Sequence, residues 1–309
     1  MPPDRNFCSE ALRYRAPYDY DALLEFISRR AIRGVEYVDG DMYRRVVVLD
    51  GEPGWLEVRP GPRNALTLRV ESVKEARLPE VVARVRRMFD LDADLTQIHA
   101  RLKRDAVLGK LIGARPGLRV PGAWDGFELG VRAILGQQVS VAGASTLAAR
   151  LAAKYGRPVP FQSEALAYSF PTADEIAGAD LAIGIPASRA AAIRNFAGAV
   201  ASNTLVLDGA CDSEACTEQI CGIRGLGPWT AQYIAMRALA DRDAFPAGDL
   251  ALLRATGMKS TAELERHSER WRPWRAYAAM HLWQGLYDES TYVVHLDGKP
   301  RRKTAAGGG

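Results

Sequence analysis

The spacing of hydrophobic positions changes twice along the chain, first from helical to strand-like and then back to helical. Residues 20–30, which contain DALLEFISRR, have the spacing of an amphipathic helix. Four short segments rich in valine, tyrosine and leucine follow, bounded by DGD, DGEPG and GPRN turns. These segments are residues 34–38, 43–50, 55–60 and 65–71. They predict a meander of about four antiparallel strands.

A second amphipathic helix is predicted directly after these strands, in the segment LPEVVARVRRMFDL. Its large apolar residues recur at helical spacing and would therefore share one face of the helix. They are Val81, Val82, Val85, Met88 and Phe89. Because a half-buried sheet needs an apolar cover, we expect this helix to lie across the meander.

No convincing strand pattern remains after the proline- and glycine-spaced connector at residues 114–126. Ser140 is placed to cap a helix that Gly156 would end. TADE at residues 172–175 has the spacing of a capping box. Two further helices are predicted over residues 188–201 and 273–287, the second with Pro273 at its first position.

The fold class that follows is α+β, with a small N-terminal antiparallel β-sheet domain with helices, followed by an all-α domain. A chain of 309 residues suits two such domains. We predict a flexible segment at residues 1–16, the α+β domain at 17–113 and the helical domain at 114–288. A basic, glycine-terminated tail at residues 289–309 is expected to be disordered.

The composition allows a nucleic acid as partner without requiring one. With 41 Lys+Arg against 37 Asp+Glu, the formal net charge is +4. The opening residues lack the apolar region of a secretory signal, and no long apolar run is found. We therefore expect a cytoplasmic protein without membrane contact. Its four cysteines are too few and too unevenly placed to cross-link the chain, so reduced thiols are expected.

Two features of the helical half suggest chemistry. In RGLGPWTAQY, Gly225 and Gly227 precede a predicted helix that begins at Pro228, so backbone N–H groups there would form a seat for an anion such as a phosphodiester. The alternative is a simple tight connection between helices. Asp249 is either an ordinary helix N-cap or a carboxylate that stabilises a developing cation, as in glycosidic bond cleavage.

Several motifs occur in the order typical of one protein family. GIRGLGPWTA (222–231) followed by FPAGD (245–249) resembles the helix-hairpin-helix and Gly/Pro-Asp module of base-excision DNA glycosylases. Other segments are similar to the bacterial 3-methyladenine DNA glycosylase II family (AlkA-type), and the match covers roughly residues 15–287. Those segments are residues 17–36, 114–122, 125–145 and 270–283.

The resemblance implies a function and assigns roles to matching residues. A damaged nucleotide would be flipped out of double-stranded DNA into a cleft, and Asp249 would be the catalytic carboxylate. Gly225, Gly227 and Thr230 match positions that bind DNA phosphate, with a possible monovalent cation at the hairpin carbonyls. The expected substrates are alkylated bases such as 3-methyladenine and 7-methylguanine, and the expected location is nucleoid-associated. No obligate protein partner and no further cofactor are expected.

The same resemblance places aromatic residues around the lesion. The matching positions are Phe26, Trp229, Tyr233 and Trp283, which would attract a cationic alkylated base. Core packing is the alternative for each of them. Bifunctional relatives have a Schiff-base lysine where this chain has Trp229, so a monofunctional hydrolase without lyase activity is expected.

The chain departs from the family pattern at two positions. Gln138 stands where relatives have an apolar intercalating wedge, and Leu250 follows the aspartate where relatives can carry an aromatic residue. Both differences bear on lesion preference.

Other prosthetic groups and functions are less favoured by the sequence. Cys211, Cys216 and Cys221 lie before the catalytic module, which argues against an iron-sulfur cluster, and the four histidines lack zinc-ligand spacing. Two alternatives remain open at this point. One is a noncatalytic helix-hairpin-helix protein that binds damaged DNA, and the other is a bifunctional glycosylase/lyase that uses a different lysine.

Overall fold

A computed structural model describes residues 7–161, 163, 165–207, 211–294 and 300–302. The N-terminal part contains a five-stranded antiparallel sheet in the order β1-β5-β4-β3-β2. Its strands are β1 (Phe7–Arg13), β2 (Glu36–Asp39), β3 (Met42–Leu49), β4 (Glu52–Gly61) and β5 (Ala65–Glu71). The predicted meander is confirmed as β2 to β5.

The first strand corrects the prediction of a flexible segment at residues 1–16 over residues 7–13, whereas residues 1–6 lie outside the described part of the chain. Residues 7–13 form β1, which pairs with the open edge of β5 from Phe7 opposite Glu71 to Arg13 opposite Ala65. Among residues 8–13 of this segment, Leu12 is the buried one. Backbone pairing to an existing strand therefore holds this segment, and local hydrophobic periodicity does not reveal such pairing.

Two helices cover one face of the sheet, namely α1 (Tyr20–Ser28) and α2 (Leu78–Met88). The predicted apolar stripe of α2 is confirmed, because Val81, Val85, Met88 and the following Phe89 are buried in one cluster with strand residues such as Tyr43. Asp19 caps α1 by accepting a hydrogen bond from the Ala22 N–H over 3.0 Å.

The next two helices, α3 (Leu95–Leu102) and α4 (Ala106–Ala114), pack with the second half of the chain. Their buried residues, including Ile98 and Ile112, belong to the same hydrophobic cluster as the later helices. These two helices therefore share a core with the helical half, and the same cluster also includes Phe26 and Ile32. The boundary between residues 113 and 114 stays a prediction. Chain order alone had assigned these helices to the first domain.

The helical domain contains nine further helices among the described residues, and its predicted caps are confirmed. Ser140 accepts a hydrogen bond from the Gly143 N–H, Gly156 ends that helix, and Thr172 forms a capping box with Glu175. The helices are α5 (Gly126–Leu135), α6 (Val141–Tyr155), α7 (Ala173–Ala177), α8 (Ala187–Ala201), α9 (Ser213–Gly222), α10 (Pro228–Arg237), α11 (Leu250–Thr256), α12 (Thr261–Ser268) and α13 (Arg275–Thr291).

The C-terminal predictions need two corrections. Helix α13 begins at Arg275, so Pro273 lies before the helix and does not occupy its first position. The predicted disordered tail at 289–309 is in part regular, because α13 continues to Thr291 and two short strands, β6 (Tyr292–Val294) and β7 (Pro300–Arg302), pair with each other. The remainder of that prediction, residues 295–299 and 303–309, lies outside the described residues.

The cysteines also differ from the sequence expectation. Cys211 and Cys216 are joined in a disulfide, whereas Cys8 and Cys221 are free. The five-residue spacing brings both sulfurs to the start of α9, which the overall count of cysteines could not show. None of the helices that the structure describes is long and apolar enough to cross a membrane.

A buried ion cluster joins the sheet to α5. The Arg45 guanidinium lies 2.6 Å from the Glu128 carboxylate and 3.7 Å from that of Glu36. Arg132 contacts the same two carboxylates at 3.1 Å and 2.9 Å. Burial raises the pKa of Glu36, but the positive charges of Arg132 and Arg45 outweigh this effect. The pKa of Glu36 therefore lies below its usual value. The cluster fixes α5 and the turn after it against the sheet.

Candidate active site

Asp249 lies at the start of α11 and acts as its N-cap. Its Oδ1 accepts hydrogen bonds from the Ala251 N–H at 2.9 Å and the Leu252 N–H at 3.1 Å. The alternative that Asp249 is a helix N-cap is therefore correct. Capping also fixes the carboxylate in a single orientation, which a catalytic group requires.

The same carboxylate has two further partners from other helices. Trp229 of α10 donates its indole N–H to Oδ2 over 3.0 Å, and Trp283 of α13 donates to Oδ1 over 3.1 Å. Three helices thus converge on one acidic side chain. An ordinary surface cap has no need of two indole donors, so Asp249 is a cap and also a candidate site residue.

Aromatic rings line the cleft beside Asp249. The Trp229 and Tyr233 rings stack with centroids 5.4 Å apart and planes 12° apart, and Trp283 meets Tyr233 at 6.4 Å and 60°. The cleft has a volume of about 440 Å³ and also includes small residues of α5 and α6, such as Ala133 and Ala148. Its size and apolar walls are those of a small-ligand site.

Phe26 is not part of this lining, which corrects the prediction for that residue. Its side chain is buried, and two guanidinium groups lie over its ring, with Arg30 at 3.6 Å and Arg237 at 4.9 Å from the centroid. These arginines line the cleft themselves, and Phe26 supports them from the core. The motif match correctly placed Phe26 near the site but did not show what covers it.

Sequence reasoning missed the positive charge of the cleft. Arg30, Arg132, Arg237 and Arg254 all line it, and Asp249 is the acidic residue in its lining. One of these arginines had a detectable signal, because Arg237 follows Tyr233 by four residues in α10 and so shares its face. The others come from distant parts of the chain.

Tyr233 is the titratable group most affected by this charge. The Arg237 Nη1 donates a hydrogen bond to the Tyr233 hydroxyl over 2.8 Å. Burial raises the pKa of Tyr233, but the charge of Arg237 and Arg30, the hydrogen bond from Arg237 and the charge of Arg132 outweigh it. The pKa of this phenol is thereby lowered to about 8.

The two hairpin glycines have different structural roles. Gly225 has φ of +96°, and a Cβ there would lie 2.7 Å from the Cβ of Ala192 in α8. Gly227 is extended, with φ of −141°. No atom lies within 4 Å of where a Cβ of Gly227 would be, so open space is left at the start of α10. Thus Gly225 serves packing, and Gly227 leaves room for a ligand.

Thr230 and the turn between α5 and α6 are linked by one glutamine. Thr230 is buried, and its hydroxyl accepts a hydrogen bond from the Gln137 side-chain amide over 3.1 Å. The main-chain carbonyl of Gln137 in turn accepts a hydrogen bond from the Arg189 guanidinium over 2.6 Å. The structure therefore places the Thr230 hydroxyl towards the turn, and sequence analysis did not single out Gln137.

The tip of this turn and the residue after Asp249 are both exposed. Gln138 projects from the tip with a left-handed backbone, φ +58°. Leu250 is 81% exposed, which is unusual for a large apolar side chain beside a cleft. Within the described part of the chain, no group of three or more His, Cys, Asp or Glu residues is placed to hold a metal ion.

Comparison with known proteins matches both halves of the chain. Residues 10–125 match the family model described as the AlkA N-terminal domain, and residues 131–273 match that of the HhH-GPD superfamily base excision DNA repair proteins. The DNA-3-methyladenine glycosylase 2 of Escherichia coli is 36% identical over 277 residues, which cover 88% of this chain and 95% of that protein.

Two other similarities differ in what they show. A probable bifunctional transcriptional activator/DNA repair enzyme AlkA of Mycobacterium tuberculosis is 40% identical over 281 residues. The match covers 89% of this chain but 56% of that relative, so the chain spans little more than half of its length. The solved 3-methyladenine DNA-glycosylase from Archaeoglobus fulgidus aligns over 90% of this chain and 97% of its own, with a TM-score of 0.77. At 21% identity, that likeness shows the fold alone.

Proposed function

The chain belongs to the HhH-GPD superfamily of base excision DNA repair proteins, as its motifs predicted, and from this premise we propose that it is a DNA glycosylase for alkylated bases. In this proposal it hydrolyses the N-glycosidic bond and starts base excision repair. The observation that carries the proposal is the position of Asp249, held by Trp229 and Trp283 at the edge of an aromatic cleft.

The substrate would enter the cleft as a single flipped nucleotide. Stacked Trp229 and Tyr233 offer aromatic surface to the base, and aromatic faces attract a cationic ring by about 0.5–2 kcal/mol beyond apolar burial. The exposed Gln138 would fill the gap left in the duplex, as the sequence match suggests. Alkylation at a ring nitrogen weakens the glycosidic bond, so the protein needs few hydrogen bonds to the base.

Asp249 would act on the sugar. As the bond to the base breaks, positive charge develops on the sugar ring, and a carboxylate close to it stabilises that charge. The hydrogen bonds from Trp229, Trp283 and the start of α11 orient the carboxylate before the reaction begins. Water then completes the hydrolysis, and the products are the free base and an abasic site.

We further propose that the enzyme is monofunctional. A lyase step requires an amine that forms a Schiff base with the sugar, and Trp229 occupies the position where bifunctional relatives have that lysine. The indoles of Trp229 and Trp283 line the cleft beside Asp249, and both are hydrogen-bonded to its carboxylate. The strand would therefore remain intact after the base is released.

The partner in this proposal is double-stranded DNA that contains alkylated bases. The open space at Gly227 and the start of α10 would receive a backbone phosphate, because the N-terminal end of a helix favours an anion. Hairpin carbonyls would hold a monovalent cation if one takes part, and no other cofactor is proposed. In this proposal the protein would act on DNA in the cytoplasm, at the nucleoid.

The test is release of free base from DNA treated with a methylating agent. We expect Asp249→Asn to lower the rate at least about 100-fold, because the developing cation loses its counter-charge. Asparagine still caps a helix, so the fold and duplex binding should survive. Asp212→Asn is the matched control, since Asp212 caps α9 in the same way but is exposed and away from the cleft. The rate of base release by this variant should stay unchanged.

Three outcomes would contradict parts of the proposal. Near-normal base release by Asp249→Asn would remove Asp249 from the mechanism. Binding of methylated duplex without any base release by the wild type would favour the noncatalytic damage-binding alternative. A covalent protein–DNA adduct trapped by borohydride would favour the bifunctional lyase instead.

A further inference from the structure

The wall of the cleft that carries Tyr233 combines an ionisable phenol with buried positive charge. Arg237 is buried, and its Nε and Nη2 donate to the carbonyls of Pro121 and Gly122 over 2.8 Å and 3.0 Å. The remaining Nη1 donates to the Tyr233 hydroxyl over 2.8 Å. The backbone thus fixes this guanidinium against the phenol.

Charged groups from three other helices face the same region. Arg30, just after α1, binds the Phe26 carbonyl over 3.2 Å, and Arg132 of α5 donates to the Arg30 carbonyl while it pairs with the buried ion cluster. Helix α11 supplies Arg254 and Asp249 to the cleft. The Asp249 oxygens are bonded to indoles and backbone, whereas Arg30, Arg132 and Arg237 all lower the pKa of Tyr233.

We propose, on the basis of the glycosylase function proposed above, that Tyr233 and these three arginines select lesions by charge. With the phenol protonated, the cleft wall is positive and favours a neutral damaged base. With the phenol ionised, one of these positive charges is cancelled at the ring that stacks on Trp229. The preference then shifts towards a base that carries a permanent positive charge.

The direction follows from the acid–base behaviour of this site. The pKa of Tyr233 is lowered to about 8, so the phenol changes its charge in the range where such an enzyme works. An extra negative charge in the cleft wall should change the preference for a cationic base by roughly tenfold, after allowance for screening. Higher pH therefore shifts the preference towards cationic lesions.

The experiment compares two lesions in otherwise identical duplexes. One contains 7-methyladenine, which is cationic in DNA, and the other 1,N6-ethenoadenine, which is neutral above mildly acidic pH. Single-turnover excision rates are measured between about pH 6.5 and pH 9 for the wild type and for Tyr233→Phe, with spontaneous release subtracted. Phenylalanine keeps the ring and removes the ionisable hydroxyl.

The expected result is a change in the ratio of the two rates. In the wild type the rate for 7-methyladenine relative to ethenoadenine should rise roughly tenfold more between these pH limits than in Tyr233→Phe. Effects of pH on the lesions and on other groups occur in both proteins. They cancel in this comparison.

A second measurement does not depend on activity. The tyrosinate absorbance of the wild type minus that of Tyr233→Phe reports the ionisation of this phenol, with an expected midpoint near pH 8. Arg30→Gln should move the midpoint upwards, because it removes one of the charges that lower the pKa. Arg33→Gln, at an exposed position three residues on, should leave it unchanged.

The two measurements test different parts of the proposal, namely the ionisation of Tyr233 and the selection of lesions. A midpoint near the usual value for tyrosine, or one that Arg30→Gln does not move, overturns the ionisation. A midpoint near pH 8 with the same rate ratio in both proteins overturns the selection. If neither lesion is excised by the wild type, the proposed function fails, and the selection fails with it, while the absorbance result still stands by itself.

Discussion

Replacement of Asp90 by asparagine is expected to stabilise this protein at neutral pH. Asp90 follows α2, and its Oδ2 accepts hydrogen bonds from the Tyr277 hydroxyl at 2.7 Å and the Val120 N–H at 3.4 Å. Burial raises the pKa of this carboxyl to about 6, and the two hydrogen bonds and Arg119 offset only part of that effect. At neutral pH the folded protein therefore holds a poorly solvated charge.

The size of the effect follows from linkage. A pKa raised from 3.8 to about 6 means that the folded state binds the Asp90 proton more tightly than the unfolded state does. Protonation of Asp90 in the folded state therefore contributes about 3 kcal/mol to the stability of the protein. This contribution is full below about pH 4 and is lost as the pH rises through about 6. Asparagine is neutral at every pH, and its carbonyl oxygen can accept both hydrogen bonds. It also tolerates the left-handed backbone at this position, φ +48°.

Urea unfolding at two pH values tests this reasoning. Asp90→Asn should raise the free energy of unfolding by about 2–3 kcal/mol at pH 7 and by less than about 0.5 kcal/mol at pH 4. Asp92→Asn is the control, because that side chain is 63% exposed and its change should stay within about 0.5 kcal/mol. Equal gains at both pH values, or a loss at pH 7, would refute the assignment of a buried charge.

Four further outcomes are expected. Gly225→Ala should lower the free energy of unfolding by about 1–3 kcal/mol in urea titrations, because Gly225 has a left-handed φ and an added Cβ would lie close to Ala192. Gly227→Ala should fold normally and weaken duplex binding in an anisotropy assay. Arg45→Met should destabilise the protein by about 3–5 kcal/mol in the same titrations, because two buried carboxylates lose a partner. Gln138→Ala should slow single-turnover excision roughly tenfold but leave non-specific DNA binding intact, and unchanged excision would exclude Gln138 as the wedge.

Local signals in the sequence determined most of the secondary structure. The strands β2 to β5 and the stripe of α2 were predictable because alternation and helical spacing record which face of an element is buried. Ser140 and the capping box at Thr172 were predictable because capping depends on neighbours within four residues. Edge strand β1 was not, since its partner β5 lies more than fifty residues further along the chain.

The sequence by itself also predicted that Asp249 and Trp229 belong to one site. Asp249 and Trp229 stand in recognisable motifs within one module, so their proximity follows from the helix-hairpin-helix connection. Only the tertiary structure decided how the cleft is charged. Arg30, Arg132 and Tyr233 come from three separate helices or their ends, and their mutual effects depend on distances and burial that arise when those elements pack. Local propensity acts over a few residues, whereas electrostatic interaction depends on separation in space, and only the folded chain sets that separation.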